Sequence, residues 1–436
     1  AILRTPATPP RLWRVFNGRP GRPLTERRFG MKRRSVFGVL LVFALILLAA
    51  PARAHTPLPQ GIVSVDTMNP HQLRQKILDG YSPEIPWEQA YGEFTDVPAY
   101  IPGITVEQAW DYISDTYKLM EWTMSVRNMQ PMSPLNGVTR YIAEERLPPG
   151  GNTYFLEIKH PETYTIDWWV GHSPEDIWMH YYFRVLDAQE FAGKPGVLLT
   201  WVNFGHANFD RDPYLHQAWL MMEIAHGIER DNLVKILQWR AAGNSGPIDT
   251  AVMQQLGLIN VEMMDPMAIW GFIASQVTPT VSWDTLYDQF IGSHFFIVDA
   301  PQEQVWNYLR EPENMNQWTL SLRGVHDFGD DLVAIERLSP HGLILGDMDV
   351  HPESQMIDLR LGKIGHGHHG RDRYFMNSTL RVFDAATCSG KTGTIVVWIS
   401  YHHVRYDSSP EYSELWRLLP SKNKLAAQNI SLLMAP

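Results

Sequence analysis

The chain has 436 residues, of which 44% are hydrophobic and 19% are charged, and its 37 basic and 47 acidic side chains give a formal net charge of −10. An excess of negative charge repels phosphate backbones and anionic membrane surfaces, so nucleic acid is excluded as the main partner. Cys388 is the single cysteine, which excludes an intramolecular disulfide and leaves packed cores to hold the fold together.

The first 54 residues have the pattern of an export leader with further sequence before it. Residues 1–30 lack an initiator methionine and are rich in Arg and Pro, so we interpret them as translated from upstream of a start at Met31. Residues 31–54 contain a basic start, an apolar run too short to span a membrane, and small residues before His55. The pattern predicts a cleaved signal peptide and a periplasmic or secreted protein without a permanent membrane anchor. It leaves the ordinary secretory and twin-arginine routes both open.

Removal of that leader leaves 26 basic and 46 acidic residues, a formal net charge of −20. In this remaining chain "EQAWDYISDTYKLMEWTMSVR" at Glu107 is followed 196 positions later by "EQVWNYLREPENMNQWTLSLR" at Glu303. Further matches follow at offsets of 191 and 197, and such changes of offset are typical of loop insertions and deletions. We therefore predict a first repeat at 62–240, a linker at 241–257 and a second repeat at 258–436.

Within each repeat the hydrophobic pattern predicts short helices, then strands, then one long helix. Residues 106–113 carry apolar side chains at helical spacing, and "WTMSVR" after them alternates like a strand. The runs "YTIDWWV", "YYFRVLD" and "VLLTWVNF" predict further strands. Asp212 and Pro213 then have the pattern of an N-cap and first turn of a long, mostly apolar helix. The second repeat has the same order, with Pro420 predicted to interrupt or kink its last helix.

The order of these elements resembles the START-related superfamily, often called SRPBCC. The match is carried mainly by "VDAPQEQVWNYLREPENMNQW" at Val298, an apolar strand, an Ala-Pro turn and a helix before a Trp-containing strand. The first repeat lacks the Ala-Pro turn and is the more divergent copy. The superfamily includes lipid-transfer domains, birch-pollen-allergen-like proteins and polyketide cyclases. The resemblance implies an α+β fold of two tandem helix-grip domains, each a curved antiparallel sheet around a long C-terminal helix.

A sheet that wraps one helix leaves apolar space beside it, and that space is the predicted ligand site. Large aromatic residues recur in both repeats, although such residues also simply fill cores. A few polar groups would orient the polar end of a ligand. The predicted ligand-binding residues are Trp122, Arg127, His160 and His206 in the first repeat and Trp318, Arg323, His351 and His403 in the second. Arg127 is also able to pair with Glu145 across neighbouring strands.

A divalent transition metal is the alternative use of the histidines, since two imidazoles and one carboxylate bind such ions with positions left open. The candidate sets are His160, Glu162 and His206, and His351, Glu353 and His403. The Gly-rich "HGHHG" adds His366, His368 and His369 as a loop that could capture metal. Glu223 and His226 have the spacing of di-iron bundles, but no second pair completes such a site, so we interpret it as coincidence. The sequence favours no cofactor, and a divalent transition metal stays the alternative.

Three functions therefore remain open, and the first is preferred. The chain is predicted to be an exported binding protein or carrier for a hydrophobic or amphipathic small molecule, such as a lipid, sterol or polyketide. The first alternative is a metal-dependent or cofactor-free cyclase or hydratase that uses the His and carboxylate residues. The second is a structural pseudo-dimer that binds another periplasmic or membrane protein. The preference for a carrier comes from the superfamily resemblance.

Overall fold

The structure is a computed structural model that describes residues 58–148, 150–287, 291–329, 331–338, 342–363 and 374–435. The predicted leader at 31–54 and the histidines His366, His368 and His369 lie outside the described residues. Over the described part of the chain, no helix is both long enough and apolar enough to cross a bilayer.

The helices and strands of the described residues follow one another in two similar series. The helices are α1 (Pro70–Asp79), α2 (Trp87–Tyr91), α3 (Val106–Ile113), α4 (Leu119–Trp122), α5 (Ala188–Ala192), α6 (Pro213–Leu220), α7 (Met222–Ala241), α8 (Thr250–Leu256), α9 (Pro266–Gln276), α10 (Trp283–Leu286), α11 (Gln302–Leu309), α12 (Met315–Trp318), α13 (Ala385–Ser389) and α14 (Pro410–Met434). The strands are β1 (Glu84–Pro86), β2 (Phe94–Asp96), β3 (Ala99–Ile101), β4 (Val126–Leu135), β5 (Val138–Glu145), β6 (Gly151–His160), β7 (Thr165–Ser173), β8 (Asp176–Asp187), β9 (Val197–Gly205), β10 (Thr280–Ser282), β11 (Ile291–Val298), β12 (Leu322–Asp327), β13 (Leu332–Glu336), β14 (Gly342–His351), β15 (Met356–Lys363), β16 (Met376–Asp384) and β17 (Thr394–Tyr401).

Two large antiparallel sheets each hold one long helix. Sheet one has the order β2-β9-β8-β7-β6-β5-β4, with β3 also paired to β9, and sheet two has the order β11-β17-β16-β15-β14-β13-β12. We call sheet one with α7 domain one, and sheet two with α14 domain two. Leu233 and Ile236 of α7 pack on the inner face of sheet one, and Ala426 and Ile430 of α14 pack on sheet two. The predicted α+β fold of two helix-grip domains is confirmed.

The two long helices differ from the prediction in opposite ways. In domain one the predicted helix is divided at Met221 into α6 and α7, where the Met221 side chain is buried in a cluster that includes Ile269 and Ile273 of α9. In domain two α14 runs through Pro420 without the interruption that was one of the two predicted outcomes, while a kink there stays a prediction. A proline in a helix interior removes one backbone hydrogen bond. Here α14 is held on its buried face by sheet two and by α1, so the helix persists.

The segment before each domain lies on the other domain. We call residues 61–80 the first arm and residues 258–276 the second arm. On domain two, Val63 exchanges two hydrogen bonds of 2.9 Å with the Asn429 side chain, and Leu73 and Ile77 are buried in its core.

The second arm makes the mirror contacts on domain one. Ile259 exchanges hydrogen bonds of 3.0 and 2.9 Å with the Asn232 side chain, and Ile269 and Ile273 are buried beside Met124. The chain segments cross where β1 pairs with β10, with Ile85 opposite Val281. The two domains are therefore joined by reciprocal exchange of arms, while the predicted boundaries at 62–240, 241–257 and 258–436 stay a prediction about sequence units.

The outer faces of the two sheets also pack together. Tyr182, Leu198 and Phe204 of sheet one share a buried cluster with Phe383 and Tyr401 of sheet two. Every residue of β9 is buried, since Leu199 and Trp201 lie in the core that holds α7 while Leu198 and Val202 lie in the cluster shared with sheet two. The described residues of the two domains therefore belong to one compact unit that begins at Gly61.

Candidate functional site

A cavity of about 440 Å³ lies in domain one between sheet one and α7. Aromatic side chains supply much of its wall, including Trp122, Trp168, Tyr181, Phe183 and Trp201. The exposed side chains of Tyr214 and Leu215 on α6 border the same space. The cavity falls within the size range of ordinary small-molecule sites, and its wall is mostly apolar.

The aromatic wall is a packed cluster in its own right. The ring centroids of Phe183 and Trp201 are 4.4 Å apart, and Trp122 meets Trp201 nearly edge-on at 5.6 Å. Trp168 stands against Phe183 at 5.2 Å and donates from its indole Nε1 to Glu157 at 3.0 Å. These ring contacts fix the aromatic side chains against the sheet, so the rings do not fill the space between the sheet and α7.

The ionisable groups that line the cavity beside this wall include Glu145, His226 and Glu229. Glu145 ends β5, while His226 and Glu229 lie three residues apart on one face of α7. The backbone N–H of Leu147 donates to Glu145 Oε1 at 2.8 Å, and that of Met124 donates to Glu229 Oε1 at 2.8 Å. Each carboxyl therefore has one oxygen held by the backbone.

His226 is held by aromatic rings. Its ring centroid lies 4.5 Å from that of Trp201 and 5.7 Å from that of Tyr181, and its Nδ1 atom has no hydrogen-bond partner among the described residues. Burial lowers the pKa of His226 to about 3, so the ring is neutral at physiological pH. A neutral imidazole with a bare nitrogen is a hydrogen-bonding group for a bound molecule.

The two carboxyls are shifted in the opposite sense. Burial raises the pKa of Glu229 to about 8, against the lowering effect of the Met124 N–H bond and of Arg127, and the nearby charge of Glu145 raises it further. Burial also raises the pKa of Glu145. An apolar environment disfavours a charged carboxylate that has no cation beside it. Burial in the cavity wall therefore keeps Glu229 mainly in its neutral, protonated form at pH 7.

The equivalent positions in domain two carry different chemistry. Glu336 corresponds to Glu145, but the Lys422 ammonium of α14 lies 3.7 Å from its Oε2. Asn423 and Ala426 occupy the places of His226 and Glu229 on the helix. Trp318 and Trp398 pack edge-on at 5.4 Å within the second core. The ionisable set of domain one is therefore not repeated.

Of the predicted ligand-binding tryptophans and arginines, only Trp122 lines the cavity, and the others make contacts within the fold. Trp122 lines the cavity, whereas Trp318 is 2% exposed in the core of domain two. Arg127 binds Glu262 of the second arm at 3.2 Å rather than Glu145, which corrects the predicted pairing across strands. Arg323 binds Asp66 of the first arm in the same way. Both arginines therefore fasten an exchanged arm.

The predicted histidines lie at the contact between the domains. His160 and His351 bond Asp167 and Asp358, each at 3.1 Å. Arg381 in turn binds Asp167, so these histidines belong to the buried ion pairs that cross between the sheets. Neither histidine is among the described residues that line the cavity.

His206 and His403 cap short helical turns. Each accepts at Nδ1 from the backbone N–H two residues later, at 3.1 Å. Their rings lie against Gly390 and Gly193 of the opposite domain, where a Cβ atom would approach the ring to within 2.6 and 2.7 Å. These positions explain why both copies have a histidine here without any contact to the cavity.

The predicted metal sets are not assembled in the described part of the chain. No group of three or more His, Cys, Asp or Glu side chains there is placed to hold a metal ion. Glu162 comes within 3.7 Å of His160, but His206 does not complete a trio with them, and Glu353 is exposed beside His351. The pair of His160 and Glu162 is a local contact beside the turn at Pro161–Thr163.

Sequence reasoning missed Glu145 and Glu229 as cavity groups and set His226 aside. The available signal was the spacing of His226 and Glu229, which are three residues apart and share one face of the helix. Such a pair is expensive to bury unless a partner or a ligand meets it. The second repeat, which lacks both residues, offered a further contrast.

Comparison with known proteins finds similarity in structure at low sequence identity. No protein-family model matches the chain, and no curated protein matches it. Among solved structures, the di-domain ARO/CYC BexL from the BE-7585A biosynthetic pathway is 10% identical, with 79% of this chain and 98% of that chain covered and a TM-score of 0.27. The di-domain ARO/CYC StfQ from the steffimycin biosynthetic pathway is 7% identical, with 78% and 97% covered and a TM-score of 0.28. A START superfamily protein from Mycobacterium smegmatis is 12% identical, with 34% and 97% covered and a TM-score of 0.27.

These neighbours are of the kind that the sequence resembles, both as START proteins and as two-domain chains. At such identities and TM-scores they carry no argument about ligand or activity. The strand pairing and helix packing of the chain itself establish its helix-grip fold.

Proposed function

We propose that the protein binds one hydrophobic or amphipathic small molecule in the cavity of domain one and serves as its carrier. The observation that supports this most is the cavity itself, about 440 Å³ with a mostly aromatic and aliphatic wall and polar groups that include Glu145, His226 and Glu229. Such a site gains affinity from apolar burial and orientation from the few polar groups. Export, supported by the leader pattern at 31–54, would place the carrier where a water-insoluble molecule needs one.

Native mass spectrometry of the full-length protein from its own host tests this proposal. We expect one organic molecule per chain, without metal in the same sample. A stoichiometric metal in place of an organic molecule would contradict carriage and favour the metal-dependent alternative.

A cavity-filling variant locates the site. Ala225 of α7 lines the cavity, so Ala225→Phe should occupy its space. We expect the uncharged dye N-phenyl-1-naphthylamine to bind the wild-type chain and to bind this variant at least tenfold more weakly. Ala251→Phe on α8 is the matched control, because it adds the same ring at an exposed position that does not line the cavity. Equal dye binding by a folded Ala225→Phe variant would place the site elsewhere.

A further inference from the structure

The comparison of the two domains points to the charge of the ligand, if the proposed binding function holds. Glu145 and Glu336 occupy equivalent positions, because each accepts from the backbone N–H two residues later, at 2.8 and 2.9 Å. The long helices are equivalently placed as well, since Asn232 and Asn429 each donate to the carbonyl of a matching Trp at 3.1 Å. The residue that corresponds to Lys422 is therefore Ala225.

Domain two thus supplies a cation where domain one has open space. Lys422 places its ammonium 3.7 Å from Glu336 Oε2, with the Lys side chain 21% exposed and the Glu side chain 8% exposed. In domain one Ala225 ends at its methyl group and borders the cavity, and no lysine is among the described residues that line the cavity with Glu145. The carboxyl at this position is paired with a lysine in domain two (Glu336) and lines the cavity in domain one (Glu145).

Domain one also has a second carboxyl at this place. Glu229 lines the cavity where domain two has Ala426. Arg127 is the nearby cation, but its guanidinium binds Glu262 and the carbonyls of Thr123 and Val126 and does not line the cavity.

Among the described lining residues no lysine occurs, and the one arginine, Arg211, is exposed at the rim. The inner wall is therefore acidic without a cation of its own. An ammonium group placed there would favour the charged form of both carboxyls, so that its binding would release the proton that burial keeps on Glu229, whereas an anionic head group would oppose their ionisation.

The aromatic wall suits the same kind of ligand. Trp168, Tyr181 and Trp201 line the cavity together with Glu145 and Glu229. Ring faces attract cations, and this attraction grows where water is excluded. Carboxylates and aromatic faces together recognise an organic ammonium group better than any other common head group.

We propose that the cavity of domain one takes an amphipathic amine, whose ammonium group lies beside Glu145 and Glu229 in the place that Lys422 occupies in domain two. The apolar remainder of the molecule lies against the aromatic wall.

Isothermal titration of the full chain with decylamine, decanol and decanoate tests the proposal, since the three differ mainly in the charge of the head group. At pH 7.5 we expect decylamine to bind at least tenfold more tightly than decanol, and decanoate to bind most weakly. Equal or tighter binding of decanol or decanoate would overturn the amine proposal and leave the binding function standing. If none of the three binds, both proposals fail.

Two substitutions at one position separate charge from volume. Ala225→Lys gives domain one the ammonium of domain two, and Ala225→Met adds similar length without charge. We expect Ala225→Lys to remove the preference for decylamine over decanol, while Ala225→Met weakens both ligands alike. Glu145→Gln provides a second test and should reduce decylamine affinity about tenfold with little change for decanol. Loss of preference in Ala225→Met, or retention of it in a folded Glu145→Gln variant, would contradict the assigned position.

Discussion

Arg184 binds Asp358 across the two domains, with both terminal guanidinium nitrogens 2.6 Å from a carboxylate oxygen. Arg381 does the same to Asp167, at 2.9 and 2.5 Å. Burial alone would raise the pKa of Asp358, but Arg184, His351 and Thr379 outweigh burial and lower it. Both carboxylates therefore stay charged inside the protein.

Removal of one partner should leave an uncompensated buried charge. We expect Arg184→Ala to lower the free energy of unfolding by about 3–5 kcal/mol, as is typical for a broken buried pair. Arg74→Ala is the control, because its pair with Glu414 is exposed and should be worth less than about 1 kcal/mol. Urea unfolding followed by circular dichroism measures both, and equal effects would contradict the buried role.

The exchanged arms predict how the chain behaves when it is cut. Residues 241–247 are exposed, so a site for a specific protease fits between Asn244 and Ser245. After cleavage each fragment still has an arm buried in the other domain, and we expect one undivided species in size-exclusion chromatography. Separation should require denaturant. Two native fragments that elute apart would show that the arms contribute little to holding the domains together.

Trp122 and Trp318 are matched residues with different surroundings. Both are buried, so Trp→Ala at either position should lower the free energy of unfolding by about 3–5 kcal/mol. Only Trp122 lines the cavity, and only Trp122→Ala should weaken N-phenyl-1-naphthylamine binding. Dye titration of both folded variants gives the measurement. An equal loss of dye binding in Trp318→Ala would indicate a ligand site in domain two.

Glu229 should make stability depend on pH in the absence of ligand. Its pKa is raised from 4.5 to about 8, so the folded state keeps a proton that the unfolded state has released. The contribution is fully present below pH 4.5, declines as the unfolded state releases its proton, and is lost once pH passes 8, at most roughly 5 kcal/mol in all. Glu229→Gln should remove this loss, so the variant should exceed the wild type in stability at pH 9.

The groups that face Glu229 set the background of that measurement. They are Glu145, Arg127 and Tyr181 on the strands, His226 on the same helix, and the Met124 N–H. Glu414→Gln on the exposed face of α14 is the control and should leave the pH profile unchanged. A wild-type profile that matches that of Glu229→Gln would mean that Glu229 is ionised in the folded state.

The fold of two similar domains could be predicted from the sequence because the same hydrophobic pattern occurs in both repeats. Hydrophobic spacing and loop offsets need no knowledge of which copy touches which. The exchange of arms could not be predicted for the same reason. Asp66 and Glu262 are equivalent residues, and each would satisfy the arginine of its own repeat as well as that of the other.

The candidate site was only partly predictable. Trp122 and Trp318 were both predicted to bind ligand because a tryptophan recurs at this position in the two repeats. Recurrence alone could not show that Trp122 lines the cavity while Trp318 belongs to the hydrophobic core of domain two. His160 and His206 were named because both copies keep them, and the structure gives them roles in the contact between domains. Glu229 has no counterpart in the second repeat, and its role depends on open space that spacing in sequence does not describe.

The joining of both domains in one chain has a consequence for how the pair can change. In a dimer of identical subunits, every substitution appears in both binding sites at once. Here the position that is Lys422 in one domain is Ala225 in the other, and Asn423 and Ala426 likewise correspond to His226 and Glu229. A charge beside one long helix can therefore be gained or lost without the same change beside the other.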